Sequence, residues 1–91
     1  MLLVSYDISN DKLRTHFAKF LSKFGFRLQY SVFQVKNSHK VLQNIVAEIE
    51  DEFGKKFQQT DSVLIFHMSK HCKKYSFGYA KNDDDELIIV Q

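Results

Sequence analysis

Residues 26–36 read FRLQYSVFQVK, and the phase of that run decides the fold. Phe26, Leu28, Tyr30 and Val32 share one side of an extended chain, and Arg27, Gln29 and Ser31 share the other. Phe33 and Val35 then continue the polar side as apolar residues. Because side chains alternate with period two, this change of face around Val32–Phe33 predicts a bend, a bulge or two short strands.

Upstream, Leu2–Tyr6 reads as a strand, and Ser9, Asn10 or Asp11 can cap the helix that follows. Leu13, Phe17, Phe20, Leu21 and Phe24 recur on one helical face, which predicts a helix over 11–24. Gly25 is expected to stop that helix as a left-handed cap. Downstream, Leu42, Ile45, Val46, Ile49 and Phe53 predict a second helix over 38–56, with Glu48, Asp51 and Glu52 facing away. DSVLIFHMS (61–69) is apolar on both faces, as a central strand would be.

The order β-α-β-(β)-α-β is complete by residue 69, the split βαβ arrangement of a ferredoxin-like α+β sandwich. The expectation is one domain over 1–91, with a core at 1–69 and a strand extension at 70–91. In that extension Tyr75, Phe77 and Tyr79 alternate, and Leu87–Val90 is a compact apolar strand after the acidic NDDDE. With the sandwich complete, one or two extra strands are expected on an edge of their own or a partner's sheet.

At 91 residues, 44% hydrophobic and with nine Phe, the chain is near the lower size limit for a self-sufficient core, so a homodimer is expected. Apolar runs fall far short of the roughly 18 residues that span a membrane. No basic segment and apolar h-region open the chain, and the single Cys72 forms no internal disulfide. A cytoplasmic location is the expectation.

Asp7 stands where the first strand hands over to a helix. The position suits a turn or N-cap residue, but ligands in open sheets also gather at the carboxyl ends of strands. One carboxylate makes a weak metal site; two Asp7 across a two-fold axis would suit Mg²⁺ (or Mn²⁺), which takes oxygen ligands. Lys12, His16, Lys19 and Lys23 line one stripe of the first helix without interleaved acids, so the stripe is able to meet a polyanion. Arg14 on another face and Arg27 on the next strand carry guanidinium forks that suit phosphate. His67, His71 and Cys72 lack the spacing and the second Cys of a zinc site. Neither Cys72 nor Ser31 and Ser62 sit in a nucleophile motif.

LLVSYDIS, an LR early in the helix, GFRLQYSVFQ and DSVLIF in this order resemble the Cas-two family of CRISPR-associated proteins, over residues 1–69. The resemblance implies a ferredoxin-like homodimer in which the two Asp7 face each other. It implies metal-dependent endonuclease activity on RNA or double-stranded DNA. It also implies a place as the central spacer of the CRISPR adaptation complex, between dimers of the Cas-one integrase. By motif, Asp7 is the catalytic and metal-binding residue, and Tyr6, Ser31 and Phe33 shape the site. Arg14 and Arg27 by motif, and Lys12, His16, Lys19 and Lys23 by their stripe, are expected to bind nucleic acid; some relatives carry an arginine where this chain has His16. The reading carried forward is a double-stranded-DNA-binding homodimer of CRISPR adaptation with a Mg²⁺-dependent phosphodiesterase activity. The alternatives are a scaffold without hydrolysis and a toxin-like endoribonuclease unrelated to CRISPR.

Overall fold

A computed structural model describes residues 1–68. The expected strands at 70–91, with His71 and Cys72, lie outside the described residues. Within them the order is β1 (Leu2–Asp7), α1 (Asp11–Leu21), β2 (Gly25–Gln29), β3 (Val32–Val35), α2 (His39–Glu48) and β4 (Ser62–His67). The four strands form one sheet in the order β2-β3-β1-β4, every neighbour antiparallel. This is the ferredoxin-like βαββαβ topology.

The change of face resolves into a hairpin. β2 and β3 pair with a register shift between Arg27 and Gln29, and Tyr30 and Ser31 form the turn. The bulge realigns the apolar sets, so Phe33 and Val35 point to the helices and Val32 to the opposite face.

Alternation along β1 divides the sheet. Leu2, Val4 and Tyr6 enter the core beneath the helices, while Leu3, Ser5 and Asp7 point to the opposite face, helix-free among the described residues. Phe17 of α1 is fully buried at the centre of the core. It meets Tyr6 edge-on at 5.2 Å and Phe53 at 5.0 Å, and truncating such a side chain costs about 3–5 kcal/mol.

Three expectations change. α1 ends at Leu21, and Gly25 opens β2 rather than capping the helix. Gly25 is required by close approach: a Cβ there would lie 1.9 Å from the Gln34 carbonyl oxygen. The second helical segment continues past Glu48 through a π turn (Ile49–Phe53) and a 3₁₀ turn (Gly54–Lys56). Ile45 is fully buried and Val41, Leu42, Ile49 and Phe53 pack on the core, while Val46, within α2 and ahead of the π turn, is exposed. Among the described residues β4 lies at an edge of the sheet, where a central place was expected. Val63 and Ile65 supply its core face, and Leu64 on the other face is 55% exposed. β1 is the strand buried on both faces, through Leu2, Leu3 and Val4.

Candidate nucleic-acid interface

Asp7 is the last residue of β1, exposed, and opposite Ser62 of β4 in the register. Its place follows from β1's alternation: Tyr6 is drawn into the core, so Asp7 must face out. It lines a groove of about 450 Å³ with Ser5, Ser31, Ser62, Leu64, Tyr30 and Arg14. The Tyr6 amide donates to the Ser31 carbonyl at 3.0 Å, which pins the hairpin turn against the end of β1.

Asn10 caps α1, its side chain accepting the Leu13 amide at 2.8 Å. This starts the helix so that Arg14 falls one turn in, back over the strand end. Arg14 Nη1 donates to the Ile8 carbonyl at 3.0 Å, and Nη2 pairs with the Asp11 carboxylate. The Asp11 hydrogen bond holds Arg14 firmly protonated; burial opposes this, and Tyr30 adds to it.

A second cleft, of about 490 Å³, lies between α1 and the β2–β3 hairpin. Arg14, Lys19 and Arg27 line it, with Tyr6, Tyr30 and Phe33. Arg27 stands 5.3 Å above the Phe33 ring, a cation–π contact that holds the guanidinium at the cleft wall. Burial pushes the Tyr6 phenol up, against the lowering pull of Arg27; Tyr30 raises it further and Arg14 lowers it. Tyr6 thus stays a neutral hydroxyl at physiological pH. Tyr6, Arg14 and Tyr30 line both depressions, so carboxylate and cations adjoin.

The basic stripe is not a single surface. Lys19 reaches the arginine cleft, Lys12 and His16 line a hollow with Asn10 and Lys56, and His16, Lys19 and Lys23 border a groove with Glu48 and Glu52. The stripe carries no acid of its own, but Glu48 at the end of α2 and Glu52 in the π turn, expected to face away, line the same groove as His16, Lys19 and Lys23.

Sequence reasoning did not assign Tyr30, Asp11 or Ser62 to the site. Tyr30 falls within the alternation of an apolar strand set; its polar turn neighbour Ser31 was the available signal. Ser62 becomes legible only once the β1–β4 register is known.

Among the described residues no cluster of three His, Cys, Asp or Glu is poised to hold a metal. One protomer offers Asp7 as a lone carboxylate, with the hydroxyls of Ser5, Ser31 and Ser62 in the same groove. This all-oxygen set suits Mg²⁺ in chemistry, and its charge needs a second carboxylate. No helix of the described residues is long and apolar enough to cross a membrane.

The model of the family described as CRISPR associated protein Cas2 matches residues 1–75. A CRISPR-associated endoribonuclease Cas2 of Methanospirillum hungatei JF-1 is 31% identical over 91 residues, covering 98% of this chain and 96% of that protein. One from Rhodospirillum rubrum is 34% identical over 70 residues, 77% of this chain and 54% of its own. Among solved structures, Streptococcus pyogenes Cas2 at pH 6.5 superposes with a TM-score of 0.63 at 25% identity, over 77% of this chain and 87% of that one. A hypothetical protein of Thermus thermophilus, TT1823, gives 0.65 at 25% identity, over 75% and 79%.

Proposed function

The chain belongs to the CRISPR associated protein Cas2 family, and from that premise we propose that it is a homodimer of CRISPR adaptation. In this reading it holds double-stranded DNA by its phosphates, bridges dimers of the Cas-one integrase, and carries a Mg²⁺-dependent (or Mn²⁺-dependent) phosphodiesterase activity. The observation that supports it is the shared wall: Arg14 and Tyr30 separate an exposed carboxylate, Asp7, from a cleft of cations. A nuclease needs those two elements side by side, one to direct water and one to steady the phosphate.

The dimer is supported by the helix-free face, where Phe26 and Leu64 stand 57% and 55% exposed. Pairing of two such faces would bring the strand ends, and hence two Asp7, into one site. Asp7 of each protomer and the serine hydroxyls beside it would hold the metal, with water filling the remaining positions. When bound, Mg²⁺ neutralises phosphate charge and makes its water more acidic. Asp7 would orient the attacking water, Arg14 and Arg27 would fix the phosphate, and Tyr6 and Phe33 would keep the cleft wall rigid.

A second reading is favoured by the names of the relatives, which are endoribonucleases: the strand cleaved is RNA. Family membership speaks against the alternative of a toxin-like endoribonuclease outside CRISPR systems. A nuclease assay over a range of metals and pH, on duplex DNA and on RNA, alongside a gel shift, separates these readings. Asp7→Asn should lower cleavage by about 10²-fold or more and leave duplex binding unchanged. Wild-type cleavage rates in Asp7→Asn would leave Asp7 as a turn residue only.

A further inference from the structure

We propose that the cleft between α1 and the β2–β3 turn is a single-nucleotide subsite, in which an unpaired base stacks on Tyr30 while Arg14, Arg27 and Lys19 hold its phosphate. This rests on the reading that the chain binds nucleic acid, and it adds the feature of the polymer that the site selects.

Tyr30 is the first observation. Its side chain is 60% exposed at the hairpin turn. The rings of Tyr6, Phe17, Phe20, Phe24, Phe33 and Phe53 pair with one another, and no described ring packs on Tyr30. A tyrosine left bare beside three cations is a platform with its polar tip already placed.

Charge is the second. The residues lining the cleft include Arg14, Lys19 and Arg27 and no carboxylate. Arg14 has spent donors on Ile8 and Asp11, so Arg27 and Lys19 supply most of the free positive charge. Arg27 meets the Phe33 ring and makes no side-chain hydrogen bond or ion pair among the described residues, so its donors remain available. Thr15 and Ser22 add hydroxyls for a sugar.

Size is the third. A cleft of about 490 Å³ is larger than a phosphate needs and fits one nucleotide, within the roughly 300–1,000 Å³ common for ligand sites. A base inside a duplex has both faces covered by its neighbours in the stack, so away from duplex ends it is an unpaired base that can meet Tyr30. The substrate feature is therefore an unpaired nucleotide, at a DNA overhang or in an RNA strand. Because Tyr30 and Arg14 also line the Asp7 groove, the strand leaving this subsite enters that groove.

Fluorescence anisotropy without metal, on the full chain, tests this with labelled oligo-dT, oligo-U and a blunt duplex of equal length. Tyr30→Ala should weaken single-strand binding roughly 5- to 150-fold, the loss of one stacked base, and leave duplex binding within about two-fold, as befits phosphate-only contacts. Tyr30→Phe should bind all three as the wild type does. Whichever of oligo-dT and oligo-U loses more identifies the strand the subsite serves. Unchanged single-strand binding by Tyr30→Ala overturns the proposal, and so does an equal loss on the duplex, which would mark a general phosphate surface. If the wild type binds single strands but no duplex, the adaptation reading fails while the subsite stands.

Discussion

The Ser9 amide donates to Asp61 Oδ1 at 3.0 Å, a bond that closes 52 residues of sequence. The Ser9 hydroxyl has one proton to share between Asp61 Oδ1 and Gln58 Oε1, each at 3.1 Å. The Gln58 amide reaches Asp61 Oδ2 at 2.9 Å. This clasp ties the segment after Asp7 to the turn before Ser62, so it braces both sides of the Asp7 groove.

The clasp makes acid stability depend on Asp61. The Gln58 amide first, and then Ser9, hold its carboxyl below the usual carboxylate range, since hydrogen bonds favour the charged form. A lowered folded pKa means that the stabilisation is complete above the unfolded value, about 3.9. It is lost as pH falls from there through the lower folded value. Urea midpoints for Asp61→Asn should lie below wild type at pH 7 and converge with it toward pH 2. Parallel curves for the two proteins would mean that the carboxylate charge contributes nothing.

Lys19 and Lys23 should differ in DNA binding although they lie one turn apart on α1. Both border the groove of Glu48 and Glu52, whose charges offset theirs, but only Lys19 also lines the acid-free cleft of Arg14 and Arg27. Removing one lysine–phosphate pairing with B-DNA reduces the slope of log K against log salt by ~0.9. Lys19→Gln should show that reduction and Lys23→Gln almost none. Equal reductions would restore the stripe as one continuous binding surface.

Gly25→Ala should destabilise the domain by about 3 kcal/mol or more, read from urea denaturation. The obstacle is backbone, the Gln34 carbonyl, with the Val35 Cα 2.6 Å away, so no side chain can swing clear. A loss below about 1 kcal/mol would mean that β2 can shift away from β3 at little cost.

The same glycine shows what was legible in the sequence. Periodicity located both helices, the first and last strands and the extended run that splits into β2 and β3, because apolar spacing is a local property that burial simply obeys. A glycine after an apolar stripe signals only that something special happens there. Whether that is a positive φ or a close strand crossing depends on a partner ten residues away. Asp7 and Arg14 were singled out from type and position, and the structure sets them on one groove. That Glu48 and Glu52 border the groove of Lys19 and Lys23 was not legible, because it depends on how the second helical segment packs beside α1, which no local pattern records. Tyr30 looked like strand because the bulge beside Arg27 is set by pairing with β3, not by composition.

Leu64 and Asp7 lie on the same helix-free face, and together they should govern dimerisation in opposite senses. Leu64 is 55% exposed, so Leu64→Lys removes little from the monomer's core. In a dimer built on this face it would bury a charge without a partner, and the protein should sediment as a monomer. Asp7→Asn acts the other way. Two carboxylates facing each other repel when no cation lies between them, and removing a pair of charges ~4 Å apart in water changes Kd by about five-fold. The metal-free Asp7→Asn dimer should therefore be tighter than the wild type, and Mg²⁺ should tighten only the wild type. Sedimentation equilibrium with and without Mg²⁺ measures all three. A Leu64→Lys protein that stays dimeric would move the interface to another surface. A Mg²⁺ effect that survives in Asp7→Asn would take the metal away from the paired carboxylates, and with it the hydrolytic part of the function.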